Sequence, residues 1–138
     1  MSDTLSPSLL VIDDDPLYHL ILQQKLRGHQ VYKSVAYSLS AEPVLEMIIE
    51  ERQNADLLPD IIFLDLEMPG LNGRNFLQLF NVIHRSLEKW IDIIIISSST
   101  EQADRSLSRS YAFVKGYFDK ASGLDMAVHL PQFIPKSR

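Results

Sequence analysis

Three short, unbroken runs of apolar residues constrain the fold of this chain more than any other feature. They occupy residues 9–12 (LLVI), 61–64 (IIFL) and 93–96 (IIII). A strand covered on one face alternates apolar and polar residues, whereas an unbroken run is typical of a strand buried on both faces. Weaker strand patterns at 31–36 and 113–118 complete a set of five, and the alternation at 31–36 favours a place nearer the edge of the sheet.

Helical patterns separate these runs. The first predicted helix has Asp15 as its N-cap and Pro16 at its first position, and Gly28 is its predicted stop. The apolar face predicted for this helix consists of Leu17, Leu20, Ile21 and Leu26.

Four further helices are predicted, the second capped by Ser40 and the third covering about 74–88. The caps predicted for the fourth and fifth are Ser98 with Glu101, and Ser122 with Asp125. Strand and helix thus alternate five times. This order predicts an α/β fold in which a doubly wound, five-stranded parallel sheet lies between two layers of helices.

Length and composition restrict the classes of protein. A chain of 138 residues corresponds to one domain, so we expect a single domain over 1–138 with a core from about 8 to 133 and no room for an effector domain. The absence of cysteine excludes disulfide scaffolds, thiolate metal sites and thiol catalysis. A formal charge of −5 argues against non-specific nucleic-acid binding. Because no secretory signal or membrane-length apolar run is present, we expect a cytoplasmic protein.

Polar residues with chemical potential follow the apolar runs. Asp13 and Asp14 follow the first, Asp65 follows the third strand, Ser97 the fourth and Lys120 the fifth. The carboxyl ends of parallel strands meet at one edge of the sheet, where ligands bind. Carboxylates at neighbouring strand ends repel one another, and a hard cation such as Mg²⁺ relieves that repulsion. The pattern predicts a site for a phosphoryl group attached to, or passing through, one carboxylate.

The same residues resemble the receiver domain of two-component response regulators. Residues 11–16 (VIDDDP) are similar to the acidic signature of its first strand, and residues 59–73 to its phosphoacceptor segment. Ser97, Tyr117 and Lys120 stand where the family has its switch hydroxyl, its switch aromatic and its invariant lysine. The resemblance covers about residues 8–133 and implies a flavodoxin-like fold.

The resemblance also implies roles for individual residues. Asp65 would accept a phosphoryl group from a histidine kinase or a histidine phosphotransfer protein, with Lys120 and Ser97 contacting phosphoryl oxygens. The implied Mg²⁺ ligands are the carboxylates of Asp13, Asp14 and Asp65 and the backbone carbonyl of Glu67. Ser97 and Tyr117 would then shift together and change the surface offered to a downstream protein target. No turnover beyond the protein's own phosphorylation and dephosphorylation is expected.

One departure from the family pattern concerns the lysine. Ala121 follows Lys120, where the family usually has proline after a cis peptide bond, so the sequence leaves open whether this bond is cis or trans, and a trans bond would make the lysine loop looser. The four histidines show no metal-ligand spacing, and a structural or surface role is expected for each. A monomer is expected, although receivers often pair through the fourth helix and fifth strand.

Three other functions stay open at this point. A phosphate-independent pseudo-receiver would fit the departure at Ala121. A Mg²⁺-dependent phosphohydrolase would use Asp65 covalently, although Glu67 stands where the common aspartyl phosphatases have a second aspartate. A flavin or nucleotide carrier would need a phosphate-binding turn after the first strand, where this chain has three aspartates.

Overall fold

A computed structural model describes residues 6–98 and 106–129 of the chain. The strands are β1 (Ser8–Ile12), β2 (Ser34–Ser38), β3 (Ile61–Asp65), β4 (Asp92–Ser97) and β5 (Val114–Asp119). The helices are α1 (Pro16–Leu26), α2 (Glu42–Glu50), α3 (Gly73–Ile83), α4 (Leu107–Ser110) and α5 (Lys120–His129). Two short 3₁₀ turns, Ala55–Leu57 and His84–Ser86, lie before β3 and after α3.

The five strands form one parallel sheet in the order β2-β1-β3-β4-β5. The three strands with unbroken apolar runs are the three central ones. Their side chains pack into two separate cores, one on each face of the sheet. Leu10 and Ile12 of β1 face the core beneath α2 and α3, whereas Leu9 and Val11 face the core beneath α1 and α5. The predictions of a doubly wound sheet and of an edge position for the second strand are therefore confirmed, although this strand covers Ser34–Ser38 rather than 31–36.

The predicted apolar face of α1 was wrong in part. Leu17, Leu20 and Ile21 are 60%, 57% and 43% exposed. The residues of α1 that pack against the sheet and α5 are Tyr18, His19, Leu22 and Leu26. Apolar residues lie on two sides of this helix, and periodicity alone does not say which side meets the sheet. The cap was right, because Asp15 accepts a hydrogen bond from the Leu17 amide at 3.0 Å.

The caps predicted for the second and fifth helices were wrong. α2 begins after Ala41 without a side-chain cap, since Ser40 lies in a turn held by the Ser38 hydroxyl. α5 begins at Lys120, and the Asp119 carboxylate accepts a hydrogen bond from the Ser122 amide at 2.7 Å. Asp119 therefore takes the capping role that was predicted for Ser122.

The lengths of the helices differ from prediction as well. α3 ends at Ile83 rather than near 88, because the chain tightens into a 3₁₀ turn. Glu101, half of the cap predicted for the fourth helix, lies outside the described residues. Over 6–98 and 106–129, four helices have nine residues or more and α4 has a single turn, so the expectation of five helices is met only in part. None of the helices in these ranges is long and apolar enough to cross a membrane.

Candidate functional site

The sheet register brings the ends of four strands to one edge. Ile12, which precedes Asp13, pairs with Leu64, and Asp65 pairs with Ile96 of β4. Ser97 pairs in turn with Asp119, which directly precedes Lys120. Because all these strands run in parallel, their carboxyl ends are level with one another. The fold thus places the predicted acidic residues, the serine and the lysine along a single edge.

Three carboxylates form a cluster at this edge. Asp13, Asp14 and Asp65 each offer an oxygen, and these oxygens lie within 4.8 Å of one another. Asp13 and Asp65 are buried, whereas Asp14 is exposed. The two buried side chains are held by the turns that follow them, since Asp13 Oδ1 accepts from the Asp15 amide at 2.9 Å and Asp65 Oδ1 accepts from the Glu67 amide at 3.1 Å. The Oδ2 atoms remain for other contacts.

Lys120 supplies the positive charge opposite both buried carboxylates. Its Nζ atom lies 2.8 Å from Asp13 Oδ2 and 3.5 Å from Asp65 Oδ2. The first contact is an ion pair rather than a well-angled hydrogen bond. Burial acts to lower the pKa of Lys120, but the contacts with Asp13 and Asp65 outweigh burial and raise this pKa. Lys120 is therefore a charged ammonium at neutral pH.

Asp65 is the carboxylate with the most perturbed environment. Burial raises the pKa of Asp65, and the neighbouring Asp13 carboxylate raises it further. The Glu67 amide and the Lys120 ammonium oppose this rise without cancelling it. The charged form of Asp65 is thus less stable at this edge of the sheet than it would be in water.

The donor set fits a divalent cation. Three carboxylates face one ammonium, so the cluster keeps a net negative charge that a hard cation would neutralise. Carboxylate oxygens are the protein ligands that Mg²⁺ prefers. Asp13, Asp14 and Asp65 are the residues that would hold it.

The other predicted site residues lie around this cluster. Ser97 is fully buried at the end of β4, and Tyr117 of β5 is half-buried and packs against the core beneath α2 and α3. The Glu67 side chain is exposed and pairs with Arg74 at 3.3 Å. The described residues contain no cis peptide bond, so the Lys120–Ala121 bond, which the sequence left open, is trans.

The sequence analysis missed Tyr18, which contacts the predicted lysine. Its hydroxyl donates a hydrogen bond to the Lys120 backbone carbonyl at 2.9 Å, and the Lys120 Nζ atom lies 5.1 Å from the centre of its ring. The available signal was position, because Tyr18 follows Asp14 by one helical turn and so lies near the same edge. Because the apolar face of α1 was assigned to Leu17 and its neighbours, Tyr18 was not considered as a residue that faces the site.

Comparison with known proteins agrees with this geometry. The family model of the response regulator receiver domain matches residues 9–126. PilH of Pseudomonas aeruginosa is 30% identical over 100 residues, which are 70% of this chain and 72% of that protein. Protein-glutamate methylesterase/protein-glutamine glutaminase 2 of Vibrio vulnificus is 28% identical over 115 residues, which are 83% of this chain but span only 30% of the relative.

A solved structure has the same fold. It is the receiver domain of the histidine kinase CKI1 from Arabidopsis thaliana complexed with Mg²⁺, with a TM-score of 0.73 and 19% identity over 96% of each chain. At that identity the likeness concerns the fold alone. The match of the family model over most of the chain carries more, and it shows that this chain belongs to the response regulator receiver domain family.

Proposed function

We propose that this chain is a receiver that accepts a phosphoryl group on Asp65 and thereby switches its binding to a partner protein. The single observation that carries the proposal is the position of Asp65, which is buried at the end of β3 beside a second carboxylate and the Lys120 ammonium. A buried carboxylate with a strongly perturbed pKa and a specific charged partner is a candidate functional group, and aspartate carboxylates serve as covalent nucleophiles in phosphoryl transfer. The phosphoryl donor would be a histidine kinase or a histidine phosphotransfer protein.

The transfer needs one bond to form and one to break. An Asp65 carboxylate oxygen attacks the phosphorus of a phosphohistidine, and the phosphorus–nitrogen bond breaks as the phosphorus–oxygen bond forms. The electron pair stays on the imidazole nitrogen, which takes a proton from solvent. Lys120 neutralises charge on the equatorial oxygens, and the turn after β3 keeps Asp65 aligned.

Mg²⁺ would be held by Asp13, Asp14 and Asp65, with the Glu67 carbonyl as a further proposed ligand. When bound, the ion neutralises negative charge on the acceptor and on the transferring group. We assign this chain no turnover besides its own phosphorylation and dephosphorylation.

The output of the switch is proposed to run through Ser97 and Tyr117. Ser97 would donate a hydrogen bond to a phosphoryl oxygen, and its movement would let Tyr117 turn further into the core. Tyr117 already packs partly against that core, so a small shift is sufficient to change the outer surface of β5. The target is proposed to be a protein rather than a nucleic acid, in keeping with the charge of −5. We propose a cytoplasmic monomer that pairs weakly at most.

The test is the intact mass of the protein after incubation with acetyl phosphate, with and without Mg²⁺. We expect one phosphoryl group per chain, dependent on Mg²⁺ and absent from the Asp65→Asn variant. Asp56→Asn, which removes an exposed carboxylate elsewhere, is the matched control and should be labelled like the wild type. A folded wild-type protein that gains no phosphoryl group would favour the pseudo-receiver, and sustained hydrolysis of phosphate esters would favour the phosphohydrolase.

A second variant tests the proposed metal site. Asp14→Asn is expected to weaken Mg²⁺ binding by at least about tenfold, since even indirect partners of a metal site commonly contribute that much. Stability should change little because Asp14 is exposed. Asp15→Asn removes the same charge one residue away and keeps a good N-cap for α1, so it should bind Mg²⁺ almost normally. Equal losses in the two variants, measured by titration calorimetry, would contradict the assignment of Asp14 as a ligand.

A further inference from the structure

Tyr18 contacts both ends of the residue that carries the site's positive charge. Its hydroxyl donates to the Lys120 backbone carbonyl at 2.9 Å. Its ring also lies beneath the Lys120 ammonium, with Nζ 5.1 Å from the ring centre, which is within the range of a cation–π interaction. One side chain from α1 therefore contacts Lys120 at both its backbone carbonyl and its ammonium group.

The residues packed around Tyr18 hold its side chain in this position. The side chain is buried, and Gly123 of α5 provides the space for its hydroxyl. A Cβ atom at position 123 would lie 3.0 Å from Tyr18 Oη and 2.9 Å from Ile96 Cδ1. A side chain at position 123 would thus push against Tyr18 and β4 together. The ion pair between Lys25 and Asp125 holds the same two helices together further along, at 2.8 Å.

The backbone after Lys120 lacks one restriction that is usual in the family. Ala121 stands where proline is usual in the family, so the chain lacks the restriction of φ that a proline ring imposes. The lysine side chain is long and partly exposed, and ordering it costs conformational entropy. A tyrosine whose ring contacts the ammonium and whose hydroxyl donates to the carbonyl reduces that freedom before any phosphoryl group arrives.

We propose that Tyr18 is a positioning residue for phosphorylation, which acts by holding Lys120 in place between Asp13 and Asp65. The inference rests on the proposed function of Asp65 and adds a residue to it. Tyr18 contacts no reacting atom itself and acts through Lys120. Its loss should therefore slow phosphoryl transfer while leaving Mg²⁺ binding, which uses the carboxylates, almost unchanged.

The experiment compares two tyrosine variants that lose similar hydrogen bonds. Tyr18→Phe removes the bond to the Lys120 carbonyl, and Tyr32→Phe removes the bond from the Tyr32 hydroxyl to the Ala127 carbonyl, seven residues further along the same helix. With acetyl phosphate at saturating Mg²⁺, we expect Tyr18→Phe to lower the phosphorylation rate about three- to tenfold, since small misplacements of a catalytic group are costly. Tyr32→Phe should keep the wild-type rate. Tyr18→Leu, which also removes the ring, should lower the rate further.

A double-variant comparison separates positioning from a general loss of structure. In a Lys120→Met background, Tyr18→Phe should produce no additional slowing, because the ammonium group that Tyr18 positions is gone. An equal multiplicative slowing in both backgrounds, or equal rates for Tyr18→Phe and Tyr32→Phe, would overturn the role of Tyr18. A wild-type protein that takes up no phosphoryl group would instead overturn the proposed function, so the two failures are distinguishable.

Discussion

Replacing Lys120 with methionine is expected to lower the free energy of unfolding of the metal-free protein by about 2–3 kcal/mol near pH 8. The substitution leaves two buried carboxylates, Asp13 and Asp65, without their shared cation. Removing one partner of a buried ion pair commonly costs about 3–5 kcal/mol, and the partial exposure of Lys120, at 26%, reduces that figure. Denaturant unfolding in the presence of a chelator measures the loss.

The pH dependence of this loss follows from Asp65. Its pKa is raised in the folded protein, so its contribution to stability is fully present below the unfolded pKa and is lost as pH rises through the folded pKa. Without Lys120 the folded pKa rises further, and protonation of Asp65 then relieves the repulsion over a wider pH range. The destabilisation of Lys120→Met should therefore be largest near pH 8 and shrink toward about pH 5. A loss independent of pH would contradict this account.

Asp65→Asn is the matched control, because it is expected to act in the opposite direction. It removes one of the two buried negative charges, and the asparagine Oδ1 atom can still accept the hydrogen bond from the Glu67 amide. The metal-free variant should be more stable than the wild type near pH 8 by about 1–2 kcal/mol. Mg²⁺ should reverse this order, since the wild type gains more stability from the ion than the variant does.

The sheet could be predicted from the sequence because its central strands are buried on both faces. The runs at 61–64 and 93–96 are typical of such strands, and the structure places them in β3 and β4. The helices were harder, because α1 carries apolar residues on two sides. Leu17 has the right spacing for a core position, yet Tyr18 occupies it, since only the packing of α1 against α5 and the sheet selects the side.

Part of the candidate site could likewise be predicted from the sequence, and part could not. Asp13, Asp65 and Lys120 could be located from the sequence because the carboxyl ends of parallel strands share one edge. The contact of Tyr18 with Lys120 could not, since it joins residues 102 positions apart through the packing of two helices. Ser40 illustrates a further limit, because a serine in the right place for a cap instead lies in a turn held by Ser38. Such local competition is invisible in a pattern of residue types.

Gly73→Ala is expected to disturb the fold and the site together. A Cβ atom at position 73 would lie 2.6 Å from the Asp65 carbonyl oxygen and 2.6 Å from Leu66 Cα, and neither backbone atom can move aside without shifting the turn after β3. That turn is closed by the hydrogen bond from the Gly73 amide to the Leu66 carbonyl at 3.1 Å. We expect the free energy of unfolding to fall by about 3 kcal/mol, at the upper end of overpacking costs.

Phosphorylation of Gly73→Ala should fall as well, because the displaced backbone carries Asp65 and the Glu67 amide that orients it. Gly28→Ala is the control. Gly28 has a φ of +83° but an open space where a Cβ would stand, so the substitution strains the backbone without pressing on a neighbour. It should cost about 1 kcal/mol and leave the phosphorylation rate unchanged. Equal effects of the two alanines on the rate would show that the turn after β3 does not hold Asp65 in place.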